Sequence, residues 1–203
     1  IVKLLSARVL GGREYRGTVK PGRHILYVVH NAPPFANGGS ENHTHFLASN
    51  MRNIGFECDI LFPVHDSEES DIKLAMYFWN GLRFFQLSYN RSRPDAEGFI
   101  RNVFSRFIKA RGYGIIHFQH IIGFPISLID ESLTAGCKVA ITLHDYWYFC
   151  RRTHLFRQED KTVCSGPESP RKCADCLMVI LPDVNFEHLA SSIEQQNNHT
   201  REI

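Results

Sequence analysis

Apolar residues along this chain follow two rhythms. Short, near-continuous runs rich in branched and aromatic side chains recur at 24–30, 57–62, 114–119 and 138–143. That is the pattern of strands buried on both faces of a parallel sheet. Between them the apolar positions fall at helical spacing. Phe46, Leu47, Met51 and Ile54 predict one helical stripe. Ser40 is the expected cap of this helix, Glu41 complements its dipole and Gly55 ends it. Phe99, Val103, Phe104, Phe107 and Ile108 predict a second helix over about 95–111. Ser127 to Ala135 predict a third, stopped at Gly136, and a further helix is expected from Asn185 to about Gln196. Two more apolar runs, 73–79 and 82–89, flank Asn80-Gly81, a strong hairpin signal.

Strands alternating with helices predict an α/β fold: a Rossmann-like, doubly wound, mainly parallel sheet with one β-hairpin insertion. Residues 1–22 mix glycines, a proline and charges and read as a leader arm or linker. The expected domain covers residues 23–203 and includes an irregular, cysteine-rich loop over 150–182.

Composition narrows the function classes. The chain has 203 residues, 43% hydrophobic and 22% charged, enough to build a sizeable core. A net charge of +2 gives no basic surplus, so no nucleic-acid partner is expected. No apolar run is long enough to span a membrane, and no secretory signal stands at the start. Four of the six cysteines crowd into 150–176, unlike a disulfide framework, which points to a reducing, cytoplasmic setting.

Ligands of open parallel sheets bind at the carboxyl ends of the strands. Three such ends here carry polar or glycine-rich sequence: Asn31 to Ser40, His117 to His120 with Gly123, and Thr142 to Trp147. Gly38 and Gly39 before a helix let the backbone approach a ligand closely, and Glu41 follows them. Neither a G-x-G-x-x-G fingerprint nor a phosphate-binding P-loop is present, which disfavours nicotinamide chemistry and ordinary nucleotide hydrolysis. His144 at a strand end is the expected catalytic residue, with Asp145 beside it able to orient the ring and Tyr146 able to stack on a sugar ring. Gly38, Gly39, Glu41, His120, Asp145 and Tyr146 form the expected substrate-binding set. Cys150, Cys164, Cys173 and Cys176 read C-x13-C-x8-C-x2-C. Four thiolates can close a structural zinc site; free thiols and disulfides are the alternatives.

These motifs, in order, resemble family 4 glycosyltransferases. The resemblance runs from Asn31-Ala-Pro-Pro through Gly38-Gly39-Ser40-Glu41, through the Asn80-Gly81 hairpin and Ile116 to Gly123. It continues to Thr142-Leu-His-Asp-Tyr-Trp and the cysteine tail, covering roughly 24–190. It implies the N-terminal, acceptor-side half of a two-domain GT-B enzyme. Such an enzyme moves a sugar, with retention, from a nucleotide-sugar donor to a glycan or lipid-linked acceptor, as in surface polysaccharide synthesis. No metal is required for that chemistry. His144 is then expected to contact the transferred sugar, and Gly38 and Gly39 to lie near donor phosphates and acceptor. The donor-binding C-terminal domain has no counterpart here, so this stretch alone is expected to be inactive. Peripheral association with the inner face of a membrane is also implied. The rival readings are a non-catalytic carbohydrate- or metal-binding module and a GT-B sugar epimerase.

Overall fold

The computed structural model describes the backbone of residues 3–10 and, in full, residues 22–66, 68, 72–180, 185, 187 and 189–194. The chain divides into two compact units, Ile1–Thr142 and Leu143–Ile203, where the sequence reading drew one domain from residue 23 onward.

The first unit is built on a seven-stranded sheet. In chain order it contains β1 (Lys3–Leu10), β2 (His24–Val28), α1 (Gly39–Asn53) and β3 (Glu57–His65), then β4 (Lys73–Trp79) and β5 (Leu82–Tyr89). α2 (Ala96–Arg111), β6 (Ile115–Phe118), α3 (Leu128–Thr134) and β7 (Lys138–Ile141) complete it. The strand order is β1-β4-β5-β3-β2-β6-β7. Five strands, β5-β3-β2-β6-β7, are mutually parallel. Their order is that of a doubly wound Rossmann-like sheet, with the reversal of direction falling between β2 and β6. β4 runs antiparallel to β5 through the Asn80-Gly81 turn, and both turn residues take positive φ, +47° and +77°. That is the geometry such a turn demands, so the hairpin forms where the sequence predicts it. The stretch expected as a leader arm contains a strand, β1, paired parallel to β4. Residues 1–2 and 11–21 of that stretch lie outside the described residues.

Alternate side chains of each strand serve opposite layers. Phe84 joins Ile25, Tyr27, Ile60 and Phe62 in the cluster against which Leu47 and Met51 of α1 pack. Its neighbour Phe85 turns the other way and meets Phe107 of α2 edge-on at 4.8 Å. Burying residues of this size on both faces contributes about 1.5–3 kcal/mol each, the main stabilising term of the unit.

Two helix stripes differ from their expected composition. In α1 the buried line is Thr44 and Ala48 flanked by Leu47 and Met51, while Phe46 is 71% exposed and Ile54 is also exposed. At 100° per residue, Phe46 sits on the far side of the helix from Thr44. Ser40 is not the cap: Gly38 holds that position, and the Ser40 hydroxyl donates to Glu41 Oε2 at 3.0 Å. In α2 the line is Ile100, Phe104 and Ile108, with Phe99 exposed beneath the guanidinium of Arg93. Gly112, in the left-handed region at φ +68°, ends α2.

The second unit holds a two-stranded ribbon, β8 (Phe156–Arg157) with β9 (Thr162–Val163), and a helix, α4 (Pro170–Met178). Ser169 caps α4 by accepting from the Lys172 amide. Residues 189–194 are helical too, within the expected last helix; its remaining positions fall largely outside the described residues. Ala174 and Leu177 of α4 pack on Ala190 and Ile193, forming this unit's small core. Among the described residues no helix is long and apolar enough to cross a membrane.

Candidate functional site

At the carboxyl ends of β2 and β6, where the sheet reverses direction, chain connectivity brings two short polar segments side by side. The Val28 carbonyl accepts from the amides of both Gln119 and His120, at 2.8 and 3.3 Å. His30 and His120 therefore stand together, their rings edge to face at 4.7 Å. His120 is 4% exposed, and its Nδ1 accepts from the Ile122 amide at 3.3 Å, so in the neutral ring Nε2 carries the proton.

Glu41 comes in from α1. Its carboxylate is 5% exposed, accepts from His30 Nε2 at 3.1 Å, and accepts from the Ser40 hydroxyl. A carboxylate behind an imidazole fixes its tautomer and orientation. Gly38 makes this possible: a Cβ there would lie 2.4 Å from Glu41 Oε2. Gly39 differs from the expectation of a close-approach glycine, because a Cβ there meets open space and its φ is not left-handed. With Glu41 folded back over Gly38 at the helix's amino end, that end carries its own anion. Sugar hydroxyls fit beside it better than phosphate does.

A second line of polar groups runs beside the first. His43 Nδ1 donates to Gln119 Oε1 at 3.0 Å. The Gln119 amide nitrogen and the Thr142 hydroxyl both lie within hydrogen-bond distance of His117 Nε2, at 3.0 and 2.8 Å. Gln119, fully buried, is thus oriented by neighbours on both sides. The resulting cluster gathers four imidazoles, His30, His43, His117 and His120, at the ends of β2 and β6 and on α1.

The structure therefore unites Gly38, Glu41 and His120 of the expected substrate-binding set. His117, Gln119 and Thr142 fall in the polar strand ends named from the sequence but were not in that set; His30 and His43 become visible only once β2 and β6 are neighbours. His144, Asp145 and Tyr146 lie in the second unit. His144 and Tyr146 are exposed on a bend, and Asp145 Oδ1 accepts from the Trp147 amide at 2.8 Å. The bend is an Asx-type turn that presents the adjacent imidazole and phenol outward.

The four clustered cysteines also belong to the second unit and line one pocket. Burial first, then the Cys150, Cys164 and Cys176 thiols, push the Cys173 thiol up. Among the described residues, three potential metal ligands come within 4.8 Å of one another at a different place: His24, Glu57 and Asp59. There, at the amino end of the sheet, Asp59 accepts from Arg83 (2.8 and 2.9 Å), Arg111 (2.9 Å), Tyr113 (2.6 Å) and His24 (3.1 Å). Two guanidiniums already neutralise the carboxylates, so a cation would have to displace them. This donor set fits an ion-pair network and not a metal.

No family model matches this chain. No curated protein matches it either. Among solved structures, it is similar to the C-terminal domain of a hydrogenase from Pyrococcus furiosus. The identity is 8% and the TM-score 0.33, over 64% of this chain and 98% of that one. An overlap that loose says nothing about chemistry.

Proposed function

We propose that this chain is the acceptor-side, Rossmann-like N-terminal unit of a retaining glycosyltransferase of the GT-B type. Its substrates are a nucleotide-sugar donor and a glycan or lipid-linked acceptor. The observation that carries the reading is the constellation at the sheet's reversal point: Gly38 packed under Glu41, Glu41 bonded to His30, and His30 against His120. His30, backed by Glu41, holds an acceptor hydroxyl; His120 supplies a second hydrogen bond. In retaining transfer the departing phosphate takes the acceptor proton, so these groups position the acceptor and no strong base is required. His144 contacts the transferred sugar through a hydrogen bond that strengthens as charge develops. The cytoplasmic, membrane-adjacent setting belongs to the same proposal, as does dependence of turnover on a donor-binding domain.

The test has two arms. Imidazole resonances of this chain are followed while glycans and nucleotide sugars are added, and His30 and His120 are expected to respond to the glycans. In the full-length gene product, His144→Ala should lower kcat by roughly two to three orders of magnitude, as for loss of one preorganised donor. Its exposed position leaves the melting temperature nearly unchanged. Silence of both imidazoles across a broad glycan panel, together with a full-length product that transfers no sugar, would sink the reading.

A further inference from the structure

We infer that the second unit is organised around a four-thiolate metal centre formed by Cys150, Cys164, Cys173 and Cys176. This inference is independent of the glycosyltransferase reading.

The ligand set is assembled by three separate pieces of backbone. Cys173 and Cys176 are three apart on α4, hence on one face of that helix. Cys164 follows β9, and its amide donates to the Leu155 carbonyl at 2.7 Å, which folds the ribbon back over its own entry. Cys150 follows the Tyr146–Phe149 turn, and its amide donates to the Tyr146 carbonyl. All four cysteines, and neither of the other two, line the same pocket. Chance would not gather four thiols from positions 150 to 176 around one cavity while leaving Cys58 and Cys137 elsewhere, buried in the first unit.

Energetics point the same way. The apolar core of this unit amounts to Ala174, Leu177, Ala190 and Ile193 with Leu189 and Cys173 beside it. Its ribbon has two residues per strand, with Val163 exposed. Neither is enough to order the segment, since an isolated ribbon is marginal and a small core contributes little. Metal binding supplies folding free energy directly to such segments. Arg151, Arg152, Arg157 and Lys172 also line the pocket. Arg152, Arg157 and Lys172 are each paired with a carboxylate, of Glu159, Asp160 and Glu168 respectively, so the wall is close to neutral without the thiols. Loading is a proton exchange: each of the four thiols gives up its proton as a metal–sulfur bond forms, with no change of oxidation state at sulfur.

Two occupants share this chemistry, a single zinc ion and an iron–sulfur cluster. No three of these sulfurs lie within 4.8 Å of one another. A zinc tetrahedron with bonds of about 2.3 Å needs them about 3.8 Å apart. Zinc therefore requires the side chains to turn inward, whereas a cluster accepts a wider set.

The whole chain, purified without chelator, is assayed for metal, acid-labile sulfide and visible absorption. One zinc per chain in colourless protein, or iron with sulfide and a brown colour, supports the centre and names its occupant. Either metal should fall below one-tenth of its content in Cys173→Ser and Cys176→Ser. Where such a variant does not fold, the wild-type protein answers alone. Stepwise titration with an organomercurial should release the metal in step with mercury–sulfur bond formation at these four cysteines, located by peptide mass. Metal-free protein with four reactive thiols, two disulfides among these residues, or metal that stays bound in folded serine variants would overturn the inference.

Discussion

The two ends of the parallel sheet use the same kinds of residue to opposite purpose. At the amino end, Asp59 is completely buried and saturated by two arginines, a tyrosine and a histidine. At the carboxyl end, Glu41 is nearly as buried, yet it serves a partly exposed imidazole. A carboxylate that neutralises several fixed cations holds the fold together; one that orients a partly exposed ring leaves that ring in reach of solvent. The difference lies in how many donors each acid must satisfy and whether solvent reaches those donors. The same strands thus carry a locked end and a receptive end.

The comparison breaks most visibly at Asp59. Asp59→Asn leaves Arg83 and Arg111 beside a neutral group in a desolvated site. It should cost about 3–5 kcal/mol, as for other buried pairs that lose one partner. Chemical denaturation would measure the loss, and a change under about 1 kcal/mol would show the amino end is not locked. Asparagine at this position should leave glycan binding by the folded fraction unaltered.

Acid sharpens the same contrast. Burial raises the Asp59 carboxyl, but the His24 hydrogen bond and the Arg83 and Arg111 charges overcome that and hold it below the ordinary range. A depressed acid contributes stability that is complete above the unfolded value, about 3.9, and lost as pH falls through the lower folded value. Unfolding followed by fluorescence should therefore show Asp59 still contributing at pH 5, with its share vanishing only below about pH 4. Asp59→Asn should lack that acid-dependent portion; an identical acid profile in both proteins would contradict the locked-end picture.

At the receptive end the effects are smaller and appear in binding. Gly38→Ala drives a methyl group into the Glu41 carboxylate. It should displace that carboxylate and weaken ligand binding by about 1–3 kcal/mol, the cost of a lost buried hydrogen bond. Calorimetric titration with whichever glycan moves the His30 resonance is the measurement. Gly39→Ala, one residue on, meets open space inside the helix's first turn. It should stabilise by about 0.4–1 kcal/mol with unchanged affinity. Equal effects at the two glycines would mean that Glu41 is not the group Gly38 accommodates.

Much of the fold was legible in the sequence because its signals are local. Runs such as Ile25 to Val29 announce strands buried on both faces, and Asn80-Gly81 dictates its own turn. What failed depended on facing partners. Phe46 and Phe99 fit an apolar stripe by type, yet a neighbouring line of the same helix found the sheet. Of the site, Gly38, Glu41 and His120 could be named from strand-end chemistry alone. His30 could not, because its significance comes from a strand some 90 positions later in the chain lying beside it. Asp59 sits within an apolar run, and only the positions of Arg83 and Arg111 on other elements explain its charge.

The loop after β6 is pinned from behind. The Tyr89 hydroxyl at the end of β5 donates to the Gly123 carbonyl. Gly123 itself, at φ +91°, lies so close to β3 that a Cβ would meet Pro63 at 2.7 Å. Two strands, β5 and β3, thus clamp the backbone of the loop that follows His120. Moving this loop would require breaking the Tyr89 contact and shifting Pro63 together, so buried His120 keeps its place and the partly exposed His30 ring is the one able to adjust.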